Sequence, residues 1–127
     1  MLGSKKPLRC VDRVTQYHSL WDIGADVAHT KTSGFPNTGF SGVARTAAGK
    51  YTITFSDVEM GCLVCLELVH WHAADTEPKL LAPTLSTYSA SAKTVAYEAW
   101  DVDETATQIE IPSGDKVSIV ATFLDTK

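Results

Sequence analysis

Hydrophobic and polar residues alternate along several stretches of this chain, which predicts β-strands. Tyr51, Ile53 and Phe55 alternate with polar neighbours, and Gly49 marks a tight turn after a preceding strand at 42–46. A period of two gives a strand one buried face and one solvated face. The pattern therefore predicts a strand, a turn and a second strand over residues 42–55.

Two later stretches, 94–102 and 117–124, alternate in the same way. Their predicted inward-facing residues are Val95, Tyr97, Ala99, Val117, Ile119, Ala121 and Phe123. The stretch 62–72 is apolar nearly throughout, which predicts a strand that is covered on both faces.

The remaining segments give weaker signals. Residues 17–29 fit a short helix or a first strand equally well. Residues 30–41 contain the Gly, Pro and Asn typical of loops, and residues 73–84 contain Pro78 and Pro83, which also predict a loop. Residues 86–91 fit a weak strand or a loop. Several short strands with little helix predict an all-β fold, an antiparallel β-sandwich or jelly-roll-like single domain.

No linker or internal repeat divides the chain of 127 residues, so we expect one domain. Residues 1–16 are mixed and mostly polar, and we interpret them as an extended N-terminal arm. The β-sandwich domain is then predicted to cover residues 17–127.

Charge argues against nucleic acid as a partner. The net charge is −4, whereas phosphate binding needs clustered Lys and Arg. The arm is locally basic, with Lys5, Lys6, Arg9 and Arg13, and such a segment is typical of a solvated arm that can dock on an acidic neighbour.

No stretch reaches the roughly 18 consecutive apolar residues that span a membrane, and no signal-peptide core follows the first charges. We therefore expect no membrane partner and synthesis in a cytoplasm. The chain has 3 cysteines without regular spacing, which favours reduced thiols over a disulfide framework.

Cys62 and Cys65 have the spacing of half a zinc site or of a redox pair. On a regular strand, however, residues three apart point to opposite faces, so the two sulfurs should diverge. We interpret both as small apolar core residues.

His70 and His72 are the better metal candidates because alternate residues of a strand share a face. A metal site needs more ligands, and no acidic residue lies at a diagnostic offset. The pair also fits a strand end that leaves the core. The acidic cluster at Asp101, Asp103 and Glu104 fits a solvated turn better than a calcium loop.

The chain contains neither a glycine-rich phosphate loop nor a nucleophile elbow. With no assembled catalytic or metal site, we expect a protein that is not an enzyme and that binds no cofactor.

The segments 42–55 and 111–124 resemble a recurrent pattern in small bacteriophage virion structural proteins, a group that includes capsid decoration (cement) proteins. In that group an apolar residue, Arg-Thr, a small pair, Gly and Tyr-Thr-aliphatic-Thr open a β-rich domain. Ser-Gly and a strand end it. The resemblance covers about residues 41–126 and carries no specific chemistry.

The resemblance implies a capsid decoration protein on the virion surface, a homotrimer whose partner is the major capsid protein. It also implies roles for particular residues. The arm residues Lys5, Lys6, Arg9 and Arg13 would reach the shell, and His70, Trp71 and Trp100 would form contacts between subunits.

Two other functions remain open. The first is a receptor- or glycan-binding tail-fibre tip, since glycan sites often use exposed Trp or Tyr with Asp and Asn, and Trp21, Trp71 and Trp100 could supply the rings. The second is a small metal-dependent enzyme that uses His70 and His72, although no His follows residue 72.

Overall fold

The computed structural model describes residues 11–25, 28–56, 61–72, 77–102 and 108–126. Eight strands are found in these ranges: β1 (Val11–Ile23), β2 (His29–Lys31), β3 (Phe40–Ala47), β4 (Lys50–Phe55), β5 (Cys62–Trp71), β6 (Lys79–Ser89), β7 (Thr94–Asp101) and β8 (Lys116–Thr126). The same ranges contain no helix long and apolar enough to cross a membrane.

The strands form two antiparallel sheets of four strands each. The order is β2-β1-β8-β5 in the first sheet and β3-β4-β7-β6 in the second. The inward faces of the two sheets pack into a single hydrophobic core. The predicted all-β antiparallel sandwich is therefore confirmed, whereas jelly-roll connectivity stays a prediction.

The core is built from the residues that alternation selects. All seven predicted inward residues of β7 and β8 are buried, as are Tyr51, Ile53 and Phe55 of β4. Tyr51 and Tyr97 stack with ring centroids 5.0 Å apart, and His29 lies against Tyr51 at 4.8 Å. Nε2 of His29 also lies 2.6 Å from the Tyr97 hydroxyl, which gives this buried group a hydrogen-bond partner.

The β3–β4 hairpin has the predicted form because Gly49 permits its turn. Gly49 has a φ of 68°, a left-handed conformation that favours glycine. A Cβ at this position would also lie 2.9 Å from the backbone nitrogen of Ile109. The Gly49 amide donates to the carboxylate of Glu110, which also accepts from Arg45.

The first strand is longer than predicted. Of the two possibilities for residues 17–29, the strand is correct up to Ile23. Residues 11–16, which the sequence places in the arm, belong to the same strand and pair with β8. Thr15 and Tyr17 pair with the inward-facing residues Phe123 and Ala121, so they continue the row of inward-facing positions of β1. This pairing explains why the strand begins before residue 17. The rest of the predicted arm lies outside the described residues.

Three loop and burial predictions need correction. The loop predicted over residues 30–41 is shorter in the structure, because β2 ends at Lys31 and β3 begins at Phe40. β6 begins at Lys79 inside the predicted loop 73–84, and it tolerates Pro83 because it is an edge strand. β5 is covered on one face only, because the first sheet packs against the second sheet through its inward face while its outward face meets solvent.

Candidate interaction surface

The first sheet has one face in the core and one face directed away from it, and we call the second the outer face. The strand register gives its residues: Val14, Gln16, His18 and Leu20 of β1, Cys62, Val64, Cys65, Glu67, Val69 and Trp71 of β5, and Ser118, Val120, Thr122 and Leu124 of β8. Asp22 and Lys116 border it at the Trp71 end.

The outer face exposes large apolar side chains. At the Cys62 end of the face Val14 is 59% and Val64 42% exposed, and at the other end Val69 is 54% and Trp71 56% exposed. Exposed apolar residues that adjoin on a sheet face, as Val69 and Trp71 do, are typical of an interaction site, whereas scattered single residues are ordinary. The outer face is therefore the candidate interaction surface of this domain.

Charge on the outer face is nearly neutralised. Lys116 donates to Asp22, which also accepts a hydrogen bond from the Thr32 hydroxyl. These two hydrogen bonds, with that from Lys116 the stronger, lower the pKa of Asp22 below its ordinary value. Glu67 is the one other Asp, Glu, Lys or Arg among the described residues of this face. The surface therefore suits an apolar partner better than a highly charged one.

A β-bulge at Val64 determines which side chains of β5 reach the outer face. Leu63 pairs with Phe123 and Cys65 pairs with Thr122, so Val64 is an extra residue opposite the β8 ladder. Because of it, the core residues Leu63 and Leu66 share the inward face although they lie three residues apart.

The bulge also overturns the predicted divergence of the two cysteines. Cys62 lies opposite Leu124 and Cys65 opposite Thr122, and these partners are alternate residues of β8. Alternate residues of a strand share a face, so both cysteines lie on the outer face. Cys62 is exposed and Cys65 is partly exposed, so neither is the buried core residue that the sequence suggested.

His70 lies inside the fold rather than on a surface. Its Nε2 is 2.7 Å from Oδ2 of Asp115, and the two side chains are 2% and 1% exposed. Its Nδ1 accepts a hydrogen bond of 2.9 Å from the backbone amide of Lys79. Nδ1 is thus the acceptor and Nε2 carries the proton. The interface position predicted for His70 needs correction, since its side chain joins β5, β6 and the turn before β8.

The hydrogen bonds of His70 also argue against a metal site formed by His70 and His72. The two rings lie 5.8 Å apart, but both nitrogens of His70 are engaged within the protein. Within the described ranges, no three His, Cys, Asp or Glu side chains cluster closely enough to hold a metal ion.

The other predicted interface residues do not meet on one surface. Trp71 lies on the outer face of the first sheet, whereas Trp100 of β7 is partly buried beside Leu80 on the outward side of the second sheet. Lys5, Lys6 and Arg9 lie outside the described residues. Arg13 is described by its backbone alone, which pairs with Asp125.

The outward side of the second sheet has a different composition. Its central positions are polar or small: Lys50, Thr52, Thr54, Thr94, Ala96 and Glu98. The centre of this side is therefore polar, while its β6 edge exposes Leu80. The apolar character of the outer face of the first sheet has no distinct signal in the sequence, since Leu68 and His70 face inward while the equally apolar Val69 and Trp71 face outward.

Comparisons with known proteins identify no relative: no family model, curated protein or solved structure matches the chain. The role of the domain must therefore be inferred from its own surface and from the short resemblance of its strands.

Proposed function

We propose that this chain is a capsid decoration protein that binds the surface of a bacteriophage head through its outer face. The observation that carries the proposal is the outer face itself, which exposes Val69 and Trp71 at one end and Val14 at the other and has almost no net charge. The resemblance of residues 42–55 and 111–124 to phage virion proteins supports the choice of partner, the major capsid protein.

The energetics of the outer face fit a surface that is covered by a partner. Full burial of an exposed Val side chain is worth about 1.5–3 kcal/mol, and Val69 is 54% exposed, so covering it would contribute roughly half of that. Trp is among the residue types that most often dominate the binding energy at interfaces, and residue 71 is a Trp. These contributions favour association of the face with another protein over permanent exposure.

The size of the outer face fits a protein that acts in many copies. Its three strands and five cross-strand rows cover roughly 500 Å² in projection. A stable interface buries about 800 Å² on each partner, so one outer face alone binds moderately. A protein that contacts several shell subunits at once gains the remaining affinity through avidity.

The buried polar groups support a binding role rather than catalysis. His70 and Asp115 are hydrogen-bonded to each other and closed off from solvent. His29 and Tyr97 form a second such pair in the core. A catalytic acid or base must reach a substrate, which these four side chains cannot do without opening the sandwich. We therefore propose a protein without enzymatic activity and without a catalytic metal or cofactor.

The proposal includes a homotrimer and a basic arm. Three copies would place three outer faces and three sets of Lys5, Lys6, Arg9 and Arg13 against neighbouring shell subunits. Light scattering should then give about three times the 13.7 kDa mass of the chain. Deletion of residues 2–13 should weaken binding to shells that lack the protein, and undiminished binding would contradict a role for the arm.

Imaging of virus particles tests the location. Particles made with the gene should carry density on the head surface that is missing from particles made without it, and the gene should lie beside that of the major capsid protein. Density on the tail alone would contradict the proposal and favour the tail-fibre tip.

The exposed indole of Trp71 favours that second candidate, a receptor- or glycan-binding tip. An exposed aromatic ring next to the charged pair Asp22 and Lys116 has the composition of a glycan subsite. A glycan array distinguishes the two functions: binding that is lost in Trp71→Ser supports the tip, and no binding to any glycan excludes this subsite.

A further inference from the structure

Cys62 and Cys65 form a pair of accessible thiols on one face of β5. Both are free, Cys62 is exposed and Cys65 is partly exposed. Their partners Leu124 and Thr122 are two residues apart on β8, so the two cysteines lie in neighbouring cross-strand rows. Two residues of a strand span roughly 6.8 Å, which sets the approximate separation of the two Cα atoms.

That separation favours a bridging ion over a disulfide. A disulfide joins Cα atoms that are mostly 4.4–6.8 Å apart, so this pair lies near the upper limit and would strain the strand. Two metal–sulfur bonds of about 2.3 Å allow the sulfurs to stay up to roughly 4.6 Å apart.

The number of ligands determines which ion fits. A structural zinc site takes four ligands, and among the described residues no third His, Cys, Asp or Glu joins the two cysteines. Thiolate ligands select soft ions, and Cu(I) is satisfied by two sulfurs in a nearly linear arrangement. We propose that Cys62 and Cys65 form a dithiolate site for a soft ion of the Cu(I) class.

Binding at this site is a ligand exchange without a redox step. Each thiol releases its proton to solvent and forms one sulfur–copper bond, while Cu(I) leaves its previous ligands. Copper stays in the +1 state, and two protons are released for each ion bound. The site does not rest on the proposed decoration function, but both cysteines lie on the outer face, so a shell bound there would cover them.

The test uses the full chain with Cys10→Ser, so that the third cysteine of the sequence does not contribute. Cu(I) held by the chromogenic chelator bicinchoninate is titrated anaerobically with this protein. The protein should withdraw one equivalent of Cu(I) per chain. Adding Cys62→Ser or Cys65→Ser should each weaken binding by about 100-fold, because the second thiolate acts at high effective concentration.

Cys62→Ala and Cys65→Ala serve as second variants, and circular dichroism of all four shows whether the fold is retained. Size exclusion with Cu(I) should give the same oligomeric state as without it. Equal binding by the single-cysteine variants, no withdrawal by the parent, or copper-dependent pairing of chains would each overturn the proposal.

Discussion

The imidazole of His70 and the carboxylate of Asp115 form a hydrogen bond of 2.7 Å in an almost completely buried position. They lie 45 residues apart in the sequence. His70 also accepts from the Lys79 amide, so one side chain holds the end of β5, the start of β6 and the turn before β8 together.

Removing either partner should destabilise the protein, because the other is left buried without its hydrogen bond. We expect His70→Ala and Asp115→Ala each to lower the free energy of unfolding by about 2–4 kcal/mol. The double variant should cost less than the sum of the two, with a coupling of at least 1 kcal/mol by double-mutant cycle. Urea denaturation measures all four proteins. Additive effects would show that the pair does not interact in solution.

The bulge at Val64 predicts an unusual tolerance to deletion. Without Val64, β5 pairs with β8 as a regular ladder, with Leu63 and Leu66 still inward and both cysteines still outward. Deletion of Val64 should therefore leave a folded protein with a cooperative unfolding transition. Deletion of Glu67, in the regular part of the strand, should shift one half of β5 to the wrong face and abolish the transition. Equal damage from the two deletions would contradict the bulge.

Burial of Tyr97 predicts loss of stability in alkali. Desolvation raises the pKa of Tyr97 well above its ordinary value of 10.0. The unfolded chain releases this proton near pH 10 while the folded chain keeps it. The stabilisation is complete below that pH and is lost as the pH rises further, by up to about 1.4 kcal/mol per pH unit.

Tyr97→Phe has no proton to release, so its free energy of unfolding should fall less steeply than that of the parent above pH 10. Some slope should remain, since burial also raises the pKa of Tyr51. Chemical denaturation at several pH values checks this. Parallel curves for the two proteins would mean that Tyr97 ionises freely in the folded state.

Asn37 takes the place of a strand partner for Leu20. Its Oδ1 accepts from the Leu20 amide at 3.1 Å and its Nδ2 donates to the Leu20 carbonyl at 2.8 Å. Asn37→Ala leaves the Leu20 amide without that partner, whereas the Leu20 carbonyl keeps its hydrogen bond from the Thr32 amide, and the change should cost about 1–3 kcal/mol of unfolding free energy. Thr38→Ala, at the exposed neighbouring position, is the control and should change it by less than about 0.5 kcal/mol. Thermal or urea unfolding measures both. A loss as small as that of the control would show that Leu20 does not depend on the Asn37 amide.

Hydrophobic–polar alternation predicted those strands in which this pattern is visible in the sequence. In β4, β7 and β8 the inward residues are large and apolar while most of their neighbours are polar, so the period of two is visible locally. The first part of β6 was missed because Pro83 is typical of a loop unless the strand is known to lie at an edge, whereas its end falls in the stretch 86–91 that fits a weak strand or a loop.

The candidate surface was harder to predict. An apolar residue on the outer face, such as Val69, looks the same in the sequence as a core residue, so β5 read as buried on both faces. The bulge at Val64 has no local sequence marker, and the partner of His70 is brought to it only by the fold. Trp71 could be selected from the sequence, but the face that it shares with Val14 required the strand register.

Co-sedimentation with capsids tests whether the outer face binds the phage head. Shells of the virus that carries this gene, prepared without the protein, are mixed with the parent chain, with Trp71→Ser, or with Leu80→Ser. Trp71 and Leu80 are 56% and 58% exposed, but they lie on opposite outward sides of the sandwich.

If the outer face binds the shell, we expect saturable binding of the parent, near-normal binding of Leu80→Ser, and at least a tenfold loss of affinity for Trp71→Ser. Failure of the parent to sediment with shells, or equal binding of Trp71→Ser and the parent, would contradict this expectation.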